Sequence, residues 1–342
     1  MSATTLTPEQ LASTESLDAL YPKLAEMGVC PGWNKPTPSL WPAPKKSFQP
    51  VHWSYSQAKG ALDAAGRLIR TELAERRNLL LYNPIEGNTY ATTRTIVAAY
   101  QMIMPGERAP SHRHVPNALR LILDAGEGAY TIVNGKRYAM LSGDVVLTPN
   151  WCWHGHGNEG SAPAYWIDFL DVPLVQILEP MFFERHPDHF EPEGTEADDA
   201  LDVPDHISGM GNAKGTSAAE GTWAFPRQQT EDRLSRAQAD PSGHFGTQIE
   251  LGHPAMDTIS LWMMRLGPNK RTASYRTTAN NIYAVIRGHG ATIIDGRRFE
   301  WERGDVIAVP TWYEHHHEAS TDAVLFRVTD EPTMSKLGYL RE

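Results

Sequence analysis

The chemistry of this chain is concentrated in two short histidine blocks. The first reads Gly106-Glu-Arg-Ala-Pro-Ser-His112-Arg-His114, and the second reads Gly143-Asp-Val-Val-Leu-Thr-Pro149-Asn-Trp-Cys-Trp-His154-Gly-His156-Gly-Asn158. Alternate residues of a strand face one side. His112 and His114 therefore project together, as two ligands of one ion require. A third imidazole in a spaced block, His154, makes a metal site a better reading than a set of surface or hydrogen-bonded histidines. Neutral imidazoles serve Fe, Zn, Cu and Ni alike, so the trio does not name its metal. His156 shares the strand face of His154 and is read either as a fourth ligand or as an acid/base group beside the metal. Cys152 lies on that face too and is read as a small buried apolar residue.

These side chains need strands that bring the two blocks together. Between them, Tyr130-Thr-Ile-Val-Asn134-Gly135-Lys-Arg-Tyr138 is a hairpin signal, because a type I′ turn requires φ > 0 at both central residues. The hairpin returns His154 to the first pair. Gly143-Asp144, three apolar residues and Pro149 read as a turn, a buried strand and a strand end. The whole is a metal-holding β-barrel over residues 89–184. The second half repeats it. Gly288-His-Gly290 matches Gly126-Glu-Gly128, and Asp295-Gly296 matches Asn134-Gly135. Gly304, Asp305, Pro310, Trp312 and His315 follow Gly143, Asp144, Pro149, Trp151 and His154 by 161 residues each. Counted back from the glycine pair, Ser274 and Arg276 stand in place of His112 and His114. The barrel over 246–342 therefore lacks a complete metal site, and His315, His316 and His317 are read as hydrogen-bonded or interface histidines.

Residues 1–88 read as an arm with helices. Thr7-Pro8-Glu9-Gln10 carries an N-cap, a first-position proline and a capping-box glutamine. Pro22 is expected to break the helix. The proline-dense stretch 31–50, with Trp33, Trp41 and Phe48, reads as a segment wrapping a domain or a neighbouring subunit. A helix is expected over 54–76, with Leu62, Gly66, Ile69 and Leu73 at helical spacing, followed by a strand at 79–82. Residues 185–245 turn acidic and then rich in small residues, which reads as an exposed linker. His186 and His189 fall there and are not expected to be ligands.

At 342 residues, 41% apolar and 21% charged, the chain can fill two barrel cores. A net charge of −10 without a basic cluster argues against a nucleic-acid or membrane-surface partner. No apolar run reaches membrane-spanning length, and the N-terminus lacks the pattern of a signal peptide. The two cysteines, Cys30 and Cys152, lie far apart and imply no disulfide framework, so a cytoplasmic location is expected.

The histidine blocks resemble the two cupin motifs. The first expects glycine, five residues, His-x-His and a later glutamate. The second expects glycine, five residues, proline, then His and Asn. Gly106, His112, His114, Gly143, Pro149, His154 and Asn158 fall in register. Leu119 stands where the glutamate is expected, which implies a three-histidine site, and Trp151 replaces a usual glycine. Further stretches resemble the gentisate 1,2-dioxygenase family, which includes salicylate and 1-hydroxy-2-naphthoate dioxygenases. They are Gln101-x4-Gly106-Glu107, His112-Arg-His114 with Ala118-Leu-Arg120, Pro149-x-Trp-x-Trp-His154-x-His156-Gly-Asn158 and Trp166-Ile-Asp168-x-Leu-Asp171. The resemblance implies an all-β bicupin: two tandem double-stranded β-helix (jelly-roll) barrels with an N-terminal helical arm. It also implies a homotetramer, one Fe(II) in the N-terminal barrel, and ring opening by O2 between the carboxyl-bearing and hydroxyl-bearing carbons.

Carried over by position, the resemblance implies that His112, His114 and His154 hold Fe(II). An aromatic ortho-hydroxy acid can then supply two oxygens beside a place for O2. Arg120, six residues after His114, points the same way along an unbroken strand, and its planar fork suits a carboxylate. Gln101 can hydrogen-bond a substrate oxygen. His156 is placed to accept and return a proton, and Asp168 to orient His156 or a substrate group. Arg76, or its neighbour Arg77, reaches the barrel mouth. Val97 stands four residues before Gln101, where the family often has an aromatic residue. The smaller side chain leaves room for a ring substituent, so gentisate-like or 5-substituted salicylates are expected substrates. The alternatives are a 1-hydroxy-2-naphthoate dioxygenase, a non-catalytic bicupin binding a small acid, and a cupin isomerase that would turn over without O2.

Overall fold

The structure, a computed structural model, describes residues 6–194, 223–251 and 256–342. The chain up to Lys45 is one compact unit, and the chain from Lys46 is a second. In the first unit, α1 (Pro8–Ala12) starts on the expected capping box: Thr7 Oγ1 accepts from the Gln10 amide at 3.2 Å, and Gln10 Oε1 accepts from the Thr7 amide at 2.9 Å. A separate helix, α2 (Leu17–Glu26), starts at Ser16 and runs through Pro22. The expected break does not occur: proline removes one amide donor, and α2 still closes with the Met27 amide on the Lys23 carbonyl at 3.2 Å.

The second unit opens with β1 (Val51–Trp53), α3 (Tyr55–Leu68), α4 (Thr71–Ala74) and β2 (Arg77–Leu80). The single helix expected over 54–76 is thus two, because Ile69 and Arg70 are extended. The Ile69 carbonyl leaves the helix to accept from Arg77 Nε at 3.0 Å and Nη2 at 2.5 Å. The first barrel holds β3 (Val97–Ile103), β4 (Arg108–His114), β5 (Ala118–Asp124), β6 (Ala129–Val133), β7 (Lys136–Ala139), β8 (Val145–Thr148), β9 (His154–Asn158) and β10 (Ala164–Leu170). After α5 (Val172–Leu178) come β11 (Phe183–Arg185), β12 (Ala224–Phe225) and α6 (Arg227–Arg236). The second barrel holds β13 (Thr247–Leu251), β14 (Ser260–Leu266), β15 (Lys270–Arg271), β16 (Asn281–Arg287), β17 (Gly290–Ile294), β18 (Arg297–Trp301), β19 (Val306–Val309), β20 (His315–Ala319) and β21 (Ala323–Thr329), followed by α7 (Glu331–Lys336).

Each barrel is two facing antiparallel sheets. In the first, β12-β8-β5-β10-β3-β2 faces β11-β4-β9-β6-β7; in the second, β1-β19-β16-β21-β14-β13 faces β15-β20-β17-β18. The hairpin turns form as expected, with φ of 46° at Asn134 and 77° at Gly135. The two six-stranded sheets share one apolar core. Ala98, Tyr100, Leu119, Leu121, Ile167 and Phe169 meet Leu261, Met263, Ile282, Ala284, Phe326 and Val328 there. Strand alternation then turns the intervening residues of β3, β5 and β10, among them Gln101, Arg120 and Asp168, into the first barrel. Leu119 belongs to the shared core, so the position of the missing motif glutamate does not face the histidines.

Short strands outside the two expected barrel segments complete both six-stranded sheets. β1 pairs with β19 of the second barrel, and β12 pairs with β8 of the first. The helix after each begins on an aspartate of that barrel: the Tyr55 amide donates to Asp305 Oδ1 at 2.9 Å, and the Arg227 amide to Asp144 Oδ1 at 2.8 Å. α3 then packs on β2 and β3, and α6 on β13 and β14. The segment expected as a linker therefore supplies β12, α6 and the end of β11. Its small-residue stretch at 209–221 lies outside the described residues.

Candidate functional site

β4 and β9 pair so that His112 stands opposite His154, after a β-bulge that follows Ala109. One ring nitrogen from each of His112, His114 and His154 lies within 4.8 Å of the others. The second nitrogen of each ring is occupied. His112 Nδ1 faces the Pro110 carbonyl at 3.3 Å, His114 Nδ1 the Pro116 carbonyl at 2.8 Å, and His154 Nδ1 the Cys152 carbonyl at 2.9 Å. A carbonyl only accepts, so Nδ1 carries the hydrogen and Nε2 keeps its lone pair, the arrangement by which a protein orients imidazole ligands. All three rings stay neutral. Burial, then Arg76, holds His112 down at about 3; burial holds His114 at about 4 and His154 well below the usual value. The donor set fits a divalent transition metal, and it contains no carboxylate. His156 is outside the trio.

The turn before β9 explains the replaced motif glycine. Trp151 has φ of 62°, a conformation that favours glycine. Its amide donates to the His114 carbonyl at 2.9 Å, and its ring stacks under Arg113 at 4.5 Å. Those contacts hold the bulky residue in place between the two blocks.

Beside the histidines lies a buried polar chain. On β2's approach, Glu75 has φ of 53° and turns Arg76 toward β3, where Arg76 Nε donates to Gln101 Oε1 at 2.5 Å. Gln101 Nε2 donates to Asp168 Oδ2 at 2.6 Å, and Asp168 Oδ1 lies 3.5 Å from Arg120 Nε. Arg120 Nη1 donates to Thr131 Oγ1 at 2.8 Å and lies against the His156 ring, 3.2 Å from Nε2 and closer to Nδ1. Burial lowers the Arg120 pKa and Asp168 raises it; a guanidinium remains charged under either influence. Burial and then Arg120 hold His156 neutral, well below the usual histidine range.

Asp168 therefore touches Gln101 and Arg120 rather than His156. β10 and β5 are neighbours in one sheet, with Asp168 in register with Arg120, whereas His156 stands on the facing sheet. The choice between Arg76 and Arg77 is also visible. Arg76 joins the polar chain, while Arg77 is buried on Glu107 and the Ile69 carbonyl. Val97 is buried opposite Leu170, on the strand face of Gln101 and four residues from it. Thr131 was not singled out by sequence reasoning, because a hydroxyl in a β-branched strand carries no signal of its own.

The second barrel repeats the frame without the trio. Tyr275 pairs with His315 as His112 pairs with His154, and the Trp312 amide donates to the Thr277 carbonyl at 2.8 Å as Trp151 does to His114. By register, Tyr275 and Thr277 replace the two histidines, one position on from the expected Ser274 and Arg276. Arg276 instead stacks over Trp312, as Arg113 does over Trp151. Tyr283 donates to or accepts from His315 Nε2 at 2.8 Å, and Thr292 lies 2.9 Å from His317 Nδ1. Among the described residues, the only three-residue metal-type cluster is that of the first barrel.

Comparison with known proteins agrees with this geometry. The model of the cupin domain matches residues 99–171 and 262–329, one match per barrel. Gentisate 1,2-dioxygenase 1 of Aquipseudomonas alcaligenes is 35% identical over 344 residues, covering 98% of each chain. The 5-aminosalicylate 1,2-dioxygenase of Comamonas sp is 33% identical, over 95% of this chain and 90% of that protein. A crystal structure of a mutant salicylate 1,2-dioxygenase from Pseudoaminobacter salicylatoxidans in complex with gentisate superposes with a TM-score of 0.82 at 30% identity, covering 98% of this chain and 97% of that one.

Proposed function

This chain belongs to the gentisate 1,2-dioxygenase family of ring-cleaving bicupins, and we propose that it opens gentisate and 5-substituted salicylates at an Fe(II) centre held by His112, His114 and His154. The observation that carries the proposal is the trio of neutral imidazoles, each with its second nitrogen tied to a backbone carbonyl, beside two arginines. Bound Fe(II) would supply a Lewis-acidic centre for two substrate oxygens and a place for O2. Arg120 and Arg76 present guanidinium donors to the carboxylate of an ortho-hydroxy acid. Asp168 and Gln101 act as positioning residues that hold those two arginines at a fixed separation, and Gln101 keeps one amide hydrogen free for a substrate oxygen. His156 takes the phenolic proton at a ring nitrogen and returns it to the product. An anionic substrate offsets the charge of Arg120, which restores basicity to that ring. Val97 leaves room for a substituent on the substrate ring, in keeping with the 33% identical relative named for 5-aminosalicylate.

The test is anaerobic Fe(II) loading followed by oxygen-electrode and absorbance assays on gentisate, 5-aminosalicylate, salicylate and 1-hydroxy-2-naphthoate. Uptake with gentisate and at least one 5-substituted salicylate is expected. Activity confined to gentisate rejects the substrate range, preference for the naphthoate moves the assignment to that class, and no uptake with any acid rejects the reading. No helix among the described residues is long and apolar enough to cross a membrane. We assign the enzyme to the cytoplasm, in keeping with its two free cysteines. We also assign it to a homotetramer, in keeping with the exposed run of Ile177, Leu178, Met181, Phe182 and Phe183. A solution mass near four times 38.1 kDa is expected.

A further inference from the structure

One hydroxyl links the two groups on which the proposed chemistry depends. Thr131 is fully buried on β6, directly opposite His156 on β9. Its Oγ1 accepts from Arg120 Nη1 at 2.8 Å, lies 2.9 Å from His156 Nδ1, and donates to the Gly155 carbonyl at 3.0 Å. Arg120 comes from the six-stranded sheet and His156 from the facing one, so Thr131 is where the two sheets' functional side chains are fixed together. With its hydrogen placed on Gly155, the oxygen still has acceptor capacity for both neighbours. A guanidinium pressed on an imidazole edge without such an anchor is free to slide or the ring to turn.

The second barrel provides an internal control. Thr292 occupies the register of Thr131 and also lies 2.9 Å from a histidine Nδ1, that of His317. There, however, Tyr283 stands opposite Arg327 as Arg120 stands opposite Asp168, and the Tyr283 hydroxyl reaches His315 instead. The threonine–histidine pair belongs to the fold in both barrels; only in the first does it also hold an arginine beside the histidine trio. We propose that Thr131 is a positioning residue that fixes Arg120 and His156 relative to one another for the substrate. This rests on the assignment of the first barrel as the dioxygenase site.

The experiment compares Thr131→Val, Thr131→Ala, Thr131→Ser and Thr292→Val in the full chain, loaded anaerobically with Fe(II). It measures iron content, kcat and KM with gentisate, and the orientation of the His156 ring in crystals. Thr131→Val and Thr131→Ala should lose about 30-fold or more in kcat/KM, with kcat falling and KM rising, because both the carboxylate-facing arginine and the proton-handling ring lose their anchor. Thr131→Ser should stay within about fivefold of the parent and Thr292→Val within about twofold, with iron content equal in all. The inference is overturned if Thr131→Val stays within about threefold, if Thr131→Ser is as impaired as Thr131→Val, or if the loss tracks lost iron. If the parent consumes no oxygen with any acid of the panel, the functional reading fails, and the crystals still decide the positioning role. An unmoved His156 ring and Arg120 in Thr131→Val would then overturn it.

Discussion

Replacing Arg76 and Arg77 one at a time separates chemistry from scaffold, because these neighbours are used in different ways. Arg77 is 4% exposed; it is paired with Glu107 and takes the Ile69 carbonyl with two nitrogens. Arg77→Gln leaves that carbonyl and carboxylate without their partner, and breaking a buried ion pair in this way costs roughly 3–5 kcal/mol. The Glu107 side chain is 18% exposed and also accepts from the Met104 amide at 2.8 Å, which places the cost near the lower end. At roughly 2.1 cal/mol/K of unfolding entropy per residue, a 342-residue chain shifts by about 1.4 °C per kcal/mol, so Tm should fall by about 4 °C. Arg76 is half-buried and its hydrogen bond is to Gln101. Arg76→Gln should cost no more than about 1 kcal/mol of stability. Losing a charge-assisted bond to the substrate, at about 1.5–3 kcal/mol, should lower kcat/KM by roughly 10- to 150-fold. Calorimetry and oxygen uptake on both variants decide the matter. If Arg76→Gln melts as low as Arg77→Gln and keeps its kcat/KM, the division of labour is refuted.

Three other outcomes are expected. Arg120→Lys keeps the charge but cannot serve Thr131, His156 and Asp168 together, so kcat/KM should drop on the order of 100-fold with iron content unchanged; near-parent activity would contradict the fork geometry. Burial pushes the Glu191 carboxyl from 4.5 up to about 7, although it accepts from the Gly135 amide. The folded chain thus retains a proton that the unfolded chain has lost, so stability is greatest below about 4.5, declines as pH rises to about 7, and stays reduced above. Glu191→Gln should abolish that decline, on the order of 3 kcal/mol, and parallel Tm–pH curves for parent and variant would contradict it. His154→Ala should abolish iron binding and turnover, whereas His315→Ala should leave one iron per chain by atomic absorption.

Much of the site was legible because a strand's two-residue period fixes direction. His112 and His114 alternate on β4 and join one trio with His154, which the Asn134-Gly135 turn brings to them. Arg120 was expected to follow them along an unbroken strand; that strand ends at His114, and Arg120 reaches the barrel interior from β5 in the facing sheet. What pairs across a sheet was not legible. Asp168 was expected to orient His156 or a substrate group; its strand neighbours are β3 and β5, so the side chains it meets are Gln101 and Arg120 and not His156. Counting from glycines placed Ser274 and Arg276 at the lost histidines. The register of β20 instead puts Tyr275 and Thr277 there, because the offset between barrels is 163 residues from Tyr275 through Tyr283 of β16 and falls to 162 only at the glycine pair that follows. Helical periodicity ran on through Ile69 because no local signal announces that a distant arginine takes its carbonyl. β1 and β12 were missed because three- and two-residue strands carry no pattern of their own.

The most direct test of the central claim is an anomalous difference map, collected at the iron edge, from crystals loaded with Fe(II) without air. One peak per chain is expected, bonded to Nε2 of His112, His114 and His154. A peak in the second barrel, or none among those three rings at full iron loading, would contradict it.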